Sequence, residues 1–300
     1  MTAGPLYTAL QRSGTRILDG AMGTELQRRG LDVSQPLWSA RALVTAPQLV
    51  LQIHREYLAA GADIITTNSF RTTARACAHA GWPDRSEALT REAVTLAQQA
   101  RADCTERTIL IAGSIAPLDD CYRPDLVPGD DALHSEHSLH ARRLADAGVD
   151  FLLLETMGTT REAEAACRAA AGTGKEVVVS FLCTAEGLLY GGESIAEAVR
   201  TIARLGPTAF SLNCISPRHM APALLTLQTA TPLPLAVYAN VGRAGEERAE
   251  TFVHDVPPGE YADFAEQWRH QGVRIIGGCC GTTPEYIAQM RERFEYSGAR

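Results

Sequence analysis

The 300-residue sequence predicts a single (β/α)8 barrel spanning residues 1–300. Three observations carry this expectation. Eight short apolar runs, rich in branched residues, recur along the chain. Segments with helical spacing separate them. No composition break or Pro/Gly/Ser-rich linker divides the series. Continuous rather than alternating apolar runs are expected of parallel strands covered on both faces. Such a barrel takes about 250 residues, which leaves room for long loops. The competing architecture is an open doubly wound sheet. It would have fewer strands and a glycine-rich phosphate loop, and neither G-x-G-x-x-G nor a P-loop occurs.

The first run, Arg16-Ile17-Leu18, ends on Asp19-Gly20. A helical pattern from Pro47 to Leu58 stops at Gly61, and Asp63 to Thr67 forms the second run, ending on Thr67-Asn68. Ser86 to Ala102 is helical, and Thr108 to Ala112 is the third run, ending on Gly113-Ser114. Ser138 to Ala147 is helical and stops at Gly148. Val149 to Leu154 is the fourth run and ends on Glu155-Thr156. Glu162 to Ala171 is helical before Glu176 to Ser180, the fifth run. Ser194 to Leu205 precedes Thr208 to Leu212, which ends on Asn213-Cys214. Pro234 to Tyr238 ends on Asn240. Tyr261 to Gln271 precedes Val273 to Ile276, which leads into Gly277-Gly278-Cys279-Cys280. In a barrel all eight tips share one rim, and that rim carries the active site. A carboxylate there, at Asp19 or Glu155, is costly unless something pairs with it.

Composition excludes several classes. Hydrophobic content of 45% with 21% charged residues suits a globular protein. No apolar run approaches the roughly 20 residues that cross a bilayer. The N-terminus lacks a basic segment followed by an apolar one, so a cytoplasmic location is expected, where thiols stay reduced. The eight cysteines then read as ligands or buried small residues. A net charge of −7 without a basic tract argues against nucleic-acid and membrane partners. Nothing in the sequence specifies an oligomeric state.

The adjacent pair Cys279-Cys280 sits between glycines. Neighbouring side chains of a strand point to opposite faces, so both thiols reach one centre only if the backbone bends, which glycine makes cheap. Vicinal cysteines are also poorly placed for an ordinary disulfide. The pair therefore reads as two thiolates aimed at one metal, with Cys214 as third ligand. Three ligands and an open fourth position is the catalytic arrangement for Zn2+. Zn2+ with three thiolates carries net −1 and polarises carbonyls weakly, but it can deprotonate a bound substrate thiol and leave it nucleophilic. The expected reaction is attack by a substrate thiolate on an electrophilic carbon, such as a methyl group on a cationic donor. Two rivals remain: an aldolase- or hydrolase-like barrel with incidental cysteines, and a non-catalytic thiol- or metal-binding barrel.

Asp19-Gly20-Ala21-Met22-Gly23-Thr24-Glu25-Leu26, Thr67-Asn68-Ser69-Phe70, Leu153-Leu154-Glu155-Thr156, Asn213-Cys214 and Gly277-Gly278-Cys279-Cys280-Gly281-Thr282 together resemble the homocysteine S-methyltransferase family, over about residues 16–295. The resemblance implies a zinc-dependent barrel that makes methionine from homocysteine. It implies Cys214, Cys279 and Cys280 as zinc ligands. Glu155 and Asp19 would meet the homocysteine ammonium, and the backbone at Gly20 and Ala21 its carboxylate. Thr67 belongs with the substrate-binding group, and Asn213 would support ligand geometry. S-methylmethionine or S-adenosylmethionine is favoured as donor. Betaine-like donors, or methylcobalamin or methylfolate supplied through a partner, stay open. After the seventh run the chain reads Tyr238-Ala239-Asn240-Val241-Gly242-Arg243, where sulfonium-using members carry Tyr-Pro-Asn-Ser-Gly-Glu.

Other signals carry less chemistry. His134, His137 and His140 recur every three residues, unlike an H-E-x-x-H pair, and read as the solvated start of a helix. Cys77, Cys104, Cys121 and Cys167 read as buried or incidental thiols. Cys183 lies just past the fifth tip and is a possible neighbour of the site. The loop Ala116–Asp131 is either a binding loop or a surface insertion. Arg243 to Glu250, within the 241–256 loop, reads as a solvated loop that could meet the donor.

Overall fold

The computed structural model describes residues 4–12, 14–245 and 248–298. Eight strands form the central sheet: β1 (Arg16–Ile17), β2 (Ile64–Thr66), β3 (Leu110–Ile115), β4 (Phe151–Met157), β5 (Glu176–Phe181), β6 (Ala209–Asn213), β7 (Leu235–Ala239) and, after a separate hairpin of β8 (Gly242–Gly245) and β9 (Arg248–His254), β10 (Ile275–Gly278). Their order is β1-β10-β7-β6-β5-β4-β3-β2, and each neighbouring pair is parallel. A parallel bridge between Leu18 and Ile64 brings β1 and β2 together and closes the ring. Asp63 reinforces it by accepting the Ile17 N–H at 2.9 Å. All eight predicted runs are strands of this barrel.

The helices are α1 (Pro5–Gln11), α2 (Gly23–Arg28), α3 (Ala42–Thr45), α4 (Pro47–Ala59), α5 (Ala74–His79), α6 (Ser86–Ala102), α7 (Asp130–Ala147), α8 (Thr160–Ala171), α9 (Ile195–Ala203), α10 (Met220–Ala230), α11 (Pro258–His270) and α12 (Pro284–Gly298). Apolar side chains fill two layers. One lies between sheet and helices and includes Ile65, Ile111, Leu154, Val179, Leu212, Val237 and Ile276. The other fills the barrel and includes Leu18, Ile64, Leu110, Phe151, Val178 and Ile275. Helix α1, absent from the sequence reading, packs Leu6 and Leu10 against this inner layer. Glu176, the first residue of β5, accepts the Leu6 and Tyr7 N–H groups at 2.8 and 2.7 Å, which caps the start of α1. The opposite, C-terminal end of the barrel stays open for chemistry. Among the described residues no helix is long and apolar enough to cross a membrane.

Two expectations change. Helix α7 begins at Asp130, not Ser138, so the His134–His140 run lies inside it. His137 and His140 face the core, and His137 Nε2 lies 3.3 Å from Glu162 Oε1 of α8. Only His134 fits the solvated reading. The three-residue spacing puts adjacent members on overlapping faces of a helix, so burial follows from the helix's orientation. The charged stretch after Gly242 is the antiparallel β8–β9 hairpin rather than an irregular loop, with residues 246 and 247 outside the described residues.

The glycines of β10 also act differently from the bend that was expected. A Cβ on Gly277 would lie 2.5 Å from Leu18 Cβ and 2.9 Å from the Leu18 carbonyl oxygen, and one on Gly278 would lie 2.3 Å from Thr282 Oγ1. These positions admit no side chain because β1 and the following turn press against β10. The left-handed residue is Gly281, with φ +83°. Gly277→Ala should therefore destabilise the protein by about 1–3 kcal/mol, the usual cost of overpacking. Urea unfolding reads this directly, and an unchanged midpoint would contradict the close approach.

Candidate metal centre and its pocket

Strands β6 and β10 are separated by β7 alone, so their C-terminal ends lie two strand spacings apart. Cys214 follows β6 with φ +59°, a left-handed conformation uncommon outside glycine, which turns its thiol back toward β10. Its Sγ lies 2.7 Å from Cys279 Sγ and 3.9 Å from Cys280 Sγ. Among the described residues these three form the group of thiol, imidazole and carboxylate side chains able to surround one ion, with all ligand atoms within 4.8 Å. A tetrahedral ion with bonds of about 2.3 Å would hold sulfurs about 3.8 Å apart. The Cys214–Cys280 distance matches this, and the Cys214–Cys279 pair would open by about 1 Å. Crowding already sorts the protons. Hydrogen bonds from Cys214 and Cys279 hold Cys280 well below the usual thiol range, and hydrogen bonds with Cys279 and Cys280 push Cys214 up. Three thiolates so close together need a cation.

Asn240, after β7, ties the two cysteine turns together. Its Nδ2 donates to the Cys214 carbonyl oxygen at 3.0 Å, and its Oδ1 accepts the Cys280 N–H at 3.1 Å. Asn213 holds the neighbouring strand ends: Oδ1 accepts from Thr156 N–H and Ser180 Oγ, and Nδ2 donates to Thr156 Oγ1. It lies 4.0 Å from Cys279 Sγ. Thr282 anchors the turn beyond the cysteines, since its Oγ1 donates to the Cys279 carbonyl and accepts the Ala21 N–H. That Ala21 N–H is thus already engaged.

The cysteines open on a cavity of about 380 Å3, lined also by Asp19, Gly20, Ala21, Thr67, Glu155, Tyr238 and Asn240. Asp19 follows β1 and is 3% exposed. Thr66 donates to both its oxygens, from N–H at 2.8 Å and Oγ1 at 2.9 Å. Glu155 sits at an irregularity in β4, beside left-handed Thr156, and accepts a short hydrogen bond from Ser114 Oγ. No described cation pairs with either carboxylate. Burial pushes Asp19 up to about 8 and Glu155 up to about 7, with Glu155 adding to the first and Cys280 to the second.

A homocysteine S-methyltransferase family model matches residues 16–294. The chain belongs to this family. It is 35% identical to the homocysteine S-methyltransferase of Escherichia coli (strain K12), over 96% of this chain and 98% of that protein. It is 31% identical to a selenocysteine Se-methyltransferase of Brassica oleracea var. italica, over 94% of this chain and 90% of that protein. Its fold superposes on the metallated form of the homocysteine methyltransferase MmuM from Escherichia coli with a TM-score of 0.84, at 33% identity, covering 96% and 99% of the two chains.

Within this methyltransferase the barrel brings together Asp19, Gly20, Ala21, Thr67, Glu155, Cys214, Cys279 and Cys280 around one cavity. Thr67 lines it, but its hydroxyl is committed to Ser69 Oγ and the Ser114 N–H. Asn213 lies behind the wall. Cys183 is buried and bridges to Leu189, apart from the cavity lining. Cys121, read as incidental, does line the cavity, with Asp120 and Tyr122, so the loop after β3 forms part of the cavity wall. Asn240, Thr282 and Arg71 were not assigned roles by the sequence. Asn240 was visible only as a polar strand tip.

Asp19 and Glu155 set a pH signature. An acid whose folded pKa lies above its unfolded value, 3.8 for Asp and 4.5 for Glu, contributes stability below that unfolded value. That contribution is lost as pH rises through the folded values near 7 and 8. Ligand-free Asp19→Asn and Glu155→Gln proteins should therefore melt above the unsubstituted protein at pH 8.5 and close to it at pH 5. Scanning calorimetry checks this; a lower melting point at pH 8.5 would mean that the ionised carboxylates are already compensated.

Proposed function

We propose that this chain transfers a methyl group from a small sulfonium donor to the thiol of homocysteine, giving methionine. The observation that carries the reading is the meeting of three thiols with two buried carboxylates that have no cationic partner among the described residues. An amino-acid thiol complements this site: its sulfur faces the cysteines and its ammonium faces Asp19 and Glu155.

The cysteine set fits Zn2+, a soft ion bound tetrahedrally by thiolates, with Cys214, Cys279 and Cys280 as its ligands. When bound, the ion supplies charge that keeps a fourth sulfur deprotonated at neutral pH. The protein's own residues do the rest. Asn240 fixes the spacing of the two cysteine turns. Asp19 is oriented by Thr66 and Glu155 by Ser114, so both acceptors point into the cavity before substrate arrives. An incoming ammonium returns both carboxylates to their ionised form and offsets the cost of burying them. The apolar rings of Trp38 and Phe70, packed edge to face at 5.7 Å, form part of the wall and exclude water from the onium carbon.

The reaction balances without a redox partner. The donor's methyl–sulfur bond breaks and its electron pair stays on the departing neutral thioether. A new bond forms between the methyl carbon and the homocysteine sulfur, and the thiol proton passes to solvent. Holding sulfur and methyl in line supplies much of the rate.

Purified protein should convert homocysteine to methionine with S-methylmethionine or S-adenosylmethionine, read by mass spectrometry, and lose turnover with a zinc chelator. Full activity after complete metal removal would refute the reading. Cys214→Ser should lose metal and cost more than the roughly 10–100-fold typical of residues that only orient a metal ligand. Glu155→Ala should raise the KM for homocysteine at least tenfold with metal content retained. Parallel loss of metal and affinity would instead indicate misfolding.

A further inference from the structure

Apart from the thiol cluster, the cavity wall carries three carboxylates, Asp19, Asp120 and Glu155, and a fourth thiol, Cys121. Arg71 is the one cationic side chain among its described lining residues. It follows β2 and is 7% exposed. Its guanidinium rests over Phe70, 5.2 Å from the ring centroid, and Nη1 donates to the carbonyl oxygens of Pro117 and Asp119 at 3.3 and 3.0 Å. Nε is buried with no hydrogen-bond partner. No described carboxylate comes within ion-pairing distance, since Asp119 pairs with Arg75 and Glu162 with His137. A buried cation with an idle donor is costly unless an anion joins it.

We infer that Arg71 binds the carboxylate of the methyl donor and so selects zwitterionic onium donors over cationic ones that lack a carboxylate. The inference rests on the methyl-transfer reading above. Two features assign Arg71 to the donor rather than to homocysteine. First, ammonium and carboxylate of homocysteine share one carbon, so an ammonium held by Asp19 and Glu155 keeps its carboxylate beside them. Arg71 does not stand there: its Nη1 is held by the Pro117 and Asp119 carbonyls of the loop after β3, and it forms no ion pair with Asp19 or Glu155. Second, Arg71 lies against the loop after β3, whose Asp120, Cys121 and Tyr122 line the same cavity as Arg71, Cys214 and Cys280. A donor whose methyl approaches the homocysteine sulfur at the cysteines would run its tail along Tyr122 and Cys121 and end at Arg71. A fork of N–H donors suits a carboxylate there.

Two arms test this. In turnover, dimethylsulfonioacetate and trimethylsulfonium differ by one carboxylate. The unsubstituted protein should prefer the first in kcat/KM by at least tenfold, and Arg71→Met should erase most of that preference. Arg71→Lys should restore part of it, with metal content and melting point tracked in each variant. In binding, 3,3-dimethylbutanoate has the carboxylate but no transferable methyl, and 3,3-dimethylbutanol lacks both. Calorimetry in the presence of homocysteine should show at least tenfold tighter binding of the acid, abolished in Arg71→Met. Equal weakening toward both members of a pair would overturn the assignment in favour of a purely structural Arg71. A rise in homocysteine KM alone would overturn it in favour of the acceptor's carboxylate. Carboxylate-dependent binding without turnover from any donor would sink the methyl-transfer reading and leave Arg71 as an onium-carboxylate site. Normal turnover indifferent to the carboxylate would do the reverse.

Discussion

Like charges forced together in a poorly hydrated rim are the constraint around which this structure is built. Three thiols from β6 and β10 crowd within 4.8 Å, and two buried carboxylates face the same cavity. Apart from Cys280, whose thiolate is favoured by hydrogen bonds from its neighbours, none of these groups ionises freely without positive charge nearby. On the proposed reading that charge comes from the ligands: a metal ion for the sulfurs and an ammonium for Asp19 and Glu155.

Keeping such a site in place requires rigidity, and the barrel provides it through contacts that admit little change. Gly277 and Gly278 let β1 and the Thr282 turn press against β10. Tyr57, reaching in from α4, places its hydroxyl 2.8 Å from the Ala21 carbonyl oxygen and 3.1 Å from that of Thr282. Asn240 and Asn213 then lock the tips of β4 to β7 and β10 into one hydrogen-bonded set. Left-handed Thr156 and Cys214 are the local strain in this arrangement, and both lie beside functional atoms, as strained residues often do. The loop after β3, held by Arg71 and by Glu162 accepting the Leu118 N–H, closes one side of the cavity.

Much of this was legible in the chain itself. The eight apolar runs gave the barrel because a parallel strand buried on both faces has a one-dimensional signature. Cys279 and Cys280 stood out because vicinal thiols have few structural uses, and Asp19 and Glu155 because a carboxylate at a buried strand end needs a reason. These features are local: residue type and immediate neighbours determine them.

The rest depended on distance relations that no local pattern encodes. The sequence singled out Cys183, just past the fifth strand tip, over Cys121, and the fold reverses this: Cys121 lines the cavity and Cys183 is buried apart from it. His137 and His140 look polar and turn inward because α7 starts earlier and packs that face on the barrel. Arg71 is one of many arginines until the fold buries it beside the cavity with an unpartnered Nε. Asn240 matters only because barrel closure puts β7 between the two cysteine-bearing strands. Residue chemistry and strand periodicity determined what the site is made of; three-dimensional adjacency across the rim decided which of those residues share it.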